Sequence, residues 1–112
     1  MAEAALTEAV YYILLSLTEP MHGYGIMQNA EALSGGRVRL AAGTLYGALS
    51  TLVTKGWIES VPDGGEGGRQ KKYRITPSGR EVLRGEFARL RELYENGELP
   101  QASYGTPGLP PQ

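Results

Sequence analysis

The residues with the clearest chemical capacity lie in the middle of this 112-residue chain. The run Arg69-Gln70-Lys71-Lys72-Tyr73-Arg74-Ile75 places four cations in seven positions, a density suited to neutralising phosphate oxygens. Upstream, Leu45, Ala48, Leu49, Leu52 and Val53 recur at i, i+3, i+4, i+7 and i+8, the spacing of one buried helix stripe. The opposite face carries Thr44, Gly47, Thr51, Thr54 and Lys55, with Ser50 beside them. That face is small and uncharged until its last turn, whereas a solvated helix face ordinarily carries Glu and Lys. Two readings account for it. Either a partner approaches the backbone closely, as in a DNA major groove where Thr methyls meet thymine methyls, or the helix packs on another part of the protein. His22 is the single histidine and cysteine is absent, so neither a nucleophile–base pair nor a zinc set can be assembled. No enzymatic activity, cofactor or metal is expected, and His22 reads as a structural residue at the head of a helix.

The elements that must position these residues follow from local signals. Gly56 suits the C′ position of the reading helix. Trp57-Ile58-Glu59-Ser60-Val61 alternates as a strand, Asp63 to Gly68 is a glycine-rich turn, and residues 69–75 return as a second, basic strand. Helix, strand, glycine tip and basic strand in that order are the parts of a winged helix. The glycine run has no Lys-Ser/Thr after it, so it is not a phosphate-binding loop.

Ahead of these parts, Leu6, Val10, Ile13, Leu14 and Leu17 predict a first helix over about 3–17, widened by Ala5, Ala9 and Tyr12 and ended by Pro20. A second helix opens at Met21-His22-Gly23, is carried by Tyr24, Met27 and Leu33, and closes at Ser34-Gly35-Gly36. Arg37-Val38-Arg39-Leu40 alternates charge and aliphatic and reads as a short third strand with its arginines outward.

After the wing, Thr76 is an N-cap and Pro77 a first helical position, opening a helix that runs to about Glu95. Leu83, Phe87, Leu90 and Tyr94 are spaced 4, 3 and 4 along it, a heptad-like seam. Such a seam is expected to meet the first helix, near Tyr12, and its own copy in a second subunit. Arg80, Arg84, Arg89 and Arg91 alternate with Glu81, Glu86, Glu92 and Glu95 as a solvated remainder. From Leu99 onward, prolines and glycines without periodicity predict a disordered tail. The expected fold class is α+β, mostly helical: a winged helix-turn-helix over 1–76, a C-terminal dimerisation helix over 77–97 and a tail over 98–112.

Net charge is −1, but it is unevenly spread. Residues 1–34 hold four acids and no Lys or Arg, residues 35–76 hold seven bases against three acids, and residues 77–112 hold four bases and five acids. Positive charge therefore collects in the third that holds the reading helix and wing, the footprint of a phosphate-binding surface. No basic leader precedes an apolar run and none reaches transmembrane length, so a cytoplasmic protein without membrane contact is expected.

With these motifs placed, the chain resembles the PadR family of transcriptional regulators, in its compact branch with one helix after the wing. The likeness covers roughly Leu6 to Tyr94. It rests most on His22-Gly23-Tyr24-Gly25-Ile26 and on Gly43-Thr44-Leu45-Tyr46 with Leu49, Leu52, Gly56 and Ile58. Tyr73-Arg74-Ile75-Thr76 with Gly79 also fits, though many winged helices share that pattern. The resemblance implies a homodimeric DNA-binding repressor, joined through its last and first helices and released by a small molecule or stress signal. Its partner would be double-stranded DNA carrying a pseudo-palindromic operator.

Two departures from the family pattern stand out. Ala41-Ala42 replaces a frequent Ser-Pro, leaving the recognition helix without its usual cap, at about 0.5–2 kcal/mol. Multidrug-binding members use an aromatic plate, often Trp, from the last helix, whereas the single Trp here is Trp57 at the start of the wing.

On this reading Thr44, Tyr46, Gly47, Ser50, Thr51 and Thr54 face the groove and Lys55 meets a phosphate. Tyr46 either joins that face or packs its ring on the second helix. Arg69, Lys71 and Lys72 contact phosphate or the adjacent minor groove, with Arg37 and Arg39 as weaker candidates. Tyr12, Leu83, Phe87, Leu90 and Tyr94 form the dimer centre, where a small apolar effector would act. The alternative is a winged-helix protein-interaction module without DNA binding; an acidic wing would mark it, and this wing is basic.

Overall fold

The computed structural model describes residues 5–62 and 71–97. Its elements run α1 (Glu8–Ser16), β1 (Met21–His22), α2 (Gly23–Leu33), α3 (Ala42–Lys55), β2 (Ile58–Val61), β3 (Lys72–Ile75) and α4 (Pro77–Asn96). Helix α1 begins later than its apolar periodicity predicts, because the Thr7 hydroxyl accepts the Val10 N–H at 3.1 Å and caps it there. Leu6 stays outside the helix yet still packs on the core.

That core is built from Ile13, Leu14 and Leu17 after α1's first turn, Ile26 of α2, Leu45 and Leu49 of α3, and Ile58 of β2, all essentially without solvent contact. Burying each such aliphatic side chain contributes roughly 1.5–3 kcal/mol. Helix α2 is rotated from the expected setting. Gly23, Ile26 and Ala30 face inward, Met27 is half-buried, and Tyr24 and Leu33 are turned out, Tyr24 with 67% of its surface exposed. The inward set 23, 26, 30 is itself a helical stripe, made of residues too small or too few to stand out beside a tyrosine.

The three strands order β1-β3-β2, all antiparallel, with Ile58 opposite Ile75, Ser60 opposite Tyr73 and Met21 opposite Tyr73 on the other side. The third strand is thus Met21–His22, and residues 37–40 form none. Their backbone is engaged otherwise: the Ser34 hydroxyl accepts the Val38 N–H at 2.9 Å, Val38 tucks into the interior, and the flanking Arg37 and Arg39 pair with Glu8 and Glu31.

One residue, Thr76, fastens the end of α3 to the start of α4. Gly56 ends α3 in the left-handed region, φ 78°, as expected of a C′ glycine. The Thr76 hydroxyl donates to the Gly56 carbonyl at 2.6 Å and accepts the Gly79 N–H at 3.0 Å, while its own N–H donates to the Trp57 carbonyl at 3.0 Å. Gly79 is required here, since a Cβ on it would run into the Trp57 carbonyl oxygen. Pro77 then occupies the first turn of α4, as the sequence signals predict.

Candidate nucleic-acid interface

Leu45, Leu49 and Leu52 turn α3 inward, and that rotation leaves Gly43, Thr44, Gly47, Ser50, Thr51, Thr54 and Lys55 exposed. Val53, assigned to the buried stripe from sequence, is 42% exposed. It lies a step of about 100° beyond Leu52 and so clears the edge of the inward arc. Among the described residues nothing crowds the outward face at its glycines: a Cβ built on Gly43 or Gly47 would meet no atom within 4 Å, while Thr51 and Lys55 border a groove with Leu6, Thr7 and Val10. Ala41 caps α3 without any side-chain hydrogen bond, as its residue type predicts. Thr51 donates its hydroxyl to the Gly47 carbonyl at 3.2 Å. At the last turn the Lys55 ammonium sits 4.9 Å from the centre of the Trp57 ring, a cation–π contact.

Tyr46 packs its ring on α2, the second of the two placements that its position allows. Its ring lies over the first turn of α2, so close that a Cβ on Gly23 would collide with the ring and its hydroxyl, yet about half the residue is exposed. Beside it opens a cleft of about 730 Å³, walled by His22, Tyr24, Tyr46, Lys71, Lys72 and Tyr73 among others. Burial pushes the Tyr73 hydroxyl above its ordinary range, with neighbouring Tyr46 adding to the effect, so the Tyr73 phenol is a neutral donor at physiological pH. Tyr24 belongs to this cleft and not to the core. Sequence reasoning missed it because an aromatic beside an apolar pattern reads as buried. The glycines flanking it make room for other residues, Gly23 for the Tyr46 ring and Gly25 for Met21, so no local signal marks its exposure.

The cations divide in a way that the charge count did not show. Arg74 pairs with Glu59 across the β2–β3 ladder at 2.7 Å, Arg37 pairs with Glu8, and Arg39 with Glu31 at 3.4 Å. All three arginines are thereby balanced within the chain, which weakens Arg37 and Arg39 further as candidates for a partner's charge. Lys71 and Lys72 stand at the start of β3, on the cleft side, and Lys55 closes α3. Arg69 and the glycine tip, residues 63–68, lie outside the described residues, as does the tail over 98–112.

The second exposed surface is on α4. Val82 and Leu83 pack against the core, but Phe87, Leu90, Leu93 and Tyr94 are exposed, Phe87 at 65% and Tyr94 at 81%. Leu83 and Phe87 also border a groove of about 200 Å³ with Tyr11, Leu15, Arg80 and Arg84. Tyr12 is half-buried on α1 and meets Tyr11 edge-on, with ring centres 5.5 Å apart.

Glu86, placed by sequence among the solvated charges, is 7% exposed. Two hydrogen bonds from Arg89, at 2.7 and 2.9 Å, hold its carboxyl below the usual carboxylate range, and the Leu6 N–H adds to them against the opposing effect of burial. Charge alternation along the sequence cannot reveal that the chain leading into α1 covers this one turn. Among the described residues no group of three or more His, Asp or Glu side chains is placed to hold a metal ion, and no helix is long and apolar enough to cross a membrane.

Comparison with known proteins gives this geometry a context. The model of the transcriptional regulator PadR-like family matches residues 12–85. A PadR family transcriptional regulator from Eggerthella lenta is 32% identical, with 78% of this chain and 75% of that one aligned at a TM-score of 0.64. A PadR-like transcription factor from Bacteroides fragilis is 28% identical, with coverage of 80% and 84% and a TM-score of 0.63. A 37.1 kDa protein of transposon TN4556 from Streptomyces fradiae is 37% identical over 102 residues, which are 87% of this chain but only 28% of that protein.

Proposed function

The chain belongs to the PadR-like family of transcriptional regulators, and from that membership we propose that it is a cytoplasmic, dimeric, sequence-specific DNA-binding repressor. The observation that carries the proposal is the outward face of α3: exposed, free of bulk at Gly43 and Gly47, and ending at Lys55, with Lys71 and Lys72 lining the cleft beside Tyr46. Thr44, Gly47, Ser50, Thr51 and Thr54 face the major groove in this reading, and Lys55 meets a phosphate at its edge. Lys71 and Lys72 follow the neighbouring backbone in this reading, Arg69 is a further candidate for a phosphate contact by its sequence, and Tyr24 and Tyr46 offer phenol hydroxyls to the same strand. Phosphate contacts then supply most of the affinity and its salt dependence.

Dimerisation through α4 is supported by Leu90, Leu93 and Tyr94, which a lone protomer leaves in water. Phe87 shares a groove with Tyr11 and Leu15 of α1, and Tyr12 meets Tyr11 edge-on; an apolar effector wedged between two such seams would change the separation of the reading helices. By linkage, an effector that prefers this altered state lowers DNA affinity.

Selection of duplexes from a random-sequence pool, followed by quantitative binding and sedimentation, tests the proposal. A recurrent pseudo-palindrome is expected, with half-site centres about 10 base pairs, or a multiple, apart. A pool that yields no preferred sequence would refute it.

A further inference from the structure

Thr51 stands midway along α3 on the exposed face, and its hydroxyl proton is directed to the Gly47 carbonyl at 3.2 Å. With the donor engaged inside the helix, this exposed residue offers a partner its γ-methyl and an acceptor oxygen but no proton. One turn earlier, Gly47 presents bare backbone into open space. A glycine inside a helix costs stability, and no described residue requires it at that position, which fits a vacancy kept for an approaching partner. A projecting methyl beside a bare Cα fits a base that itself projects a methyl. Among the four bases of DNA only thymine does so in the major groove. Gly47, Ser50 and Thr54 around it lack the two-pronged amide or guanidinium groups that read guanine or adenine.

We infer that Thr51 is a specificity-determining residue that selects a thymine by methyl–methyl contact. The inference rests on the reading of α3 as the groove-entering helix.

The test uses the tightest duplex selected by the full chain from a random-sequence pool, with each thymine replaced in turn by uracil. That replacement removes the 5-methyl and preserves base pairing. It is measured with the parent, Thr51→Ser, which lacks the methyl, and Thr51→Val, which keeps a methyl and lacks the hydroxyl. One thymine in each half-site is expected to lose about fourfold in affinity on conversion to uracil, the worth of one buried methyl. Thr51→Ser should show the same loss on the thymine duplex and no further loss on the uracil duplex, while Thr51→Val binds like the parent.

The inference is overturned if Thr51→Ser remains as sensitive to uracil as the parent at every position, or if Thr51→Val loses the binding that Thr51→Ser keeps. A pool that enriches no sequence refutes the DNA reading itself, and this inference with it. Enrichment without any uracil-sensitive thymine refutes the role of Thr51 alone. Circular dichroism melts of both variants exclude a folding defect as the cause.

Discussion

Helices α3 and α4 both turn a face outward, and the two faces are opposite in chemistry. On α4 the exposed residues are Phe87, Leu90, Leu93 and Tyr94, large groups whose exposure to water is unfavourable and is relieved by any complementary apolar cover. On α3 the half-exposed Tyr46 and Val53 stand to one side, and the outward face between them and Lys55 is Gly43, Thr44, Gly47, Ser50, Thr51 and Thr54, which gain little from being covered. What α3 gives up is helix propensity: two glycines, three threonines and an N-terminus without a side-chain cap. A face that sacrifices local stability with no hydrophobic return is shaped for nearness, and one that exposes bulk is shaped for exclusion of water. The contrast is the ground on which we propose DNA for the first and a second protomer for the second.

The sharpest way to break that assignment is to spoil each face in turn. Gly47→Glu adds a charge where the fold has open space, so the protein should keep its circular dichroism spectrum while specific DNA binding is abolished. Operator affinity left intact would move the reading face elsewhere. Leu90→Glu, on a residue already exposed in the protomer, should give a monomer in sedimentation and lower operator affinity by orders of magnitude, because the second half-site no longer contributes. A monomer that binds the full operator at parental strength would end the dimer assignment.

Smaller effects sharpen the picture. Lys71→Ala and Lys72→Ala should weaken binding to all sequences alike and flatten the salt dependence by about one unit of slope per lost phosphate contact. A sequence-selective loss would instead place these lysines against bases.

Glu86 offers a measurement independent of DNA. Its pKa in the folded protein is depressed, so its contribution to stability is present above the unfolded value of about 4.3 and is lost as pH falls through the folded one. Thermal melts should therefore show acid destabilisation that Glu86→Gln reduces, at a loss of about 1 kcal/mol at neutral pH. Parallel pH profiles for the two proteins would show that the clasp between α4 and the start of α1 contributes nothing. The smallest expected change is a gain: Gly47→Ala should raise stability by about 0.5–1 kcal/mol in chemical denaturation while weakening specific binding.

How much of this was legible in the sequence varies with the range of the interactions. Signals contained in a few adjacent residues carried through: Thr76 and Pro77 opening α4, Gly56 closing α3, and the leucines that set α3's rotation. Features decided by distant chain did not. Met21–His22 is a strand only because β3 has an edge to offer it, and two residues hold no periodicity to read. Residues 37–40 alternate like a strand but are held by Ser34, Glu8 and Glu31. Glu86 looks like its solvated neighbours until the chain before α1 covers it. On the candidate interface itself, the outward face of α3 followed from spacing alone, whereas the exposure of Tyr24 and the engagement of Arg74 with Glu59 depend on the tertiary arrangement.

The Thr76 fastening has a mechanical consequence. Three hydrogen bonds from one residue, with the close seat of Gly79 on Trp57, leave no slack between the foot of α4 and the heel of α3. The two helices therefore pivot as one rigid bracket. Helix α4 spans 20 residues, a lever arm of about 30 Å. Each degree of tilt imposed at its far end by a partner or a wedge is a displacement there of about half an ångström, and the same angle is delivered at the bracket to α3. In the proposed dimer, the spacing of the two reading helices would thus be set far from the nucleic acid, with Thr76 as the fixed joint of the bracket.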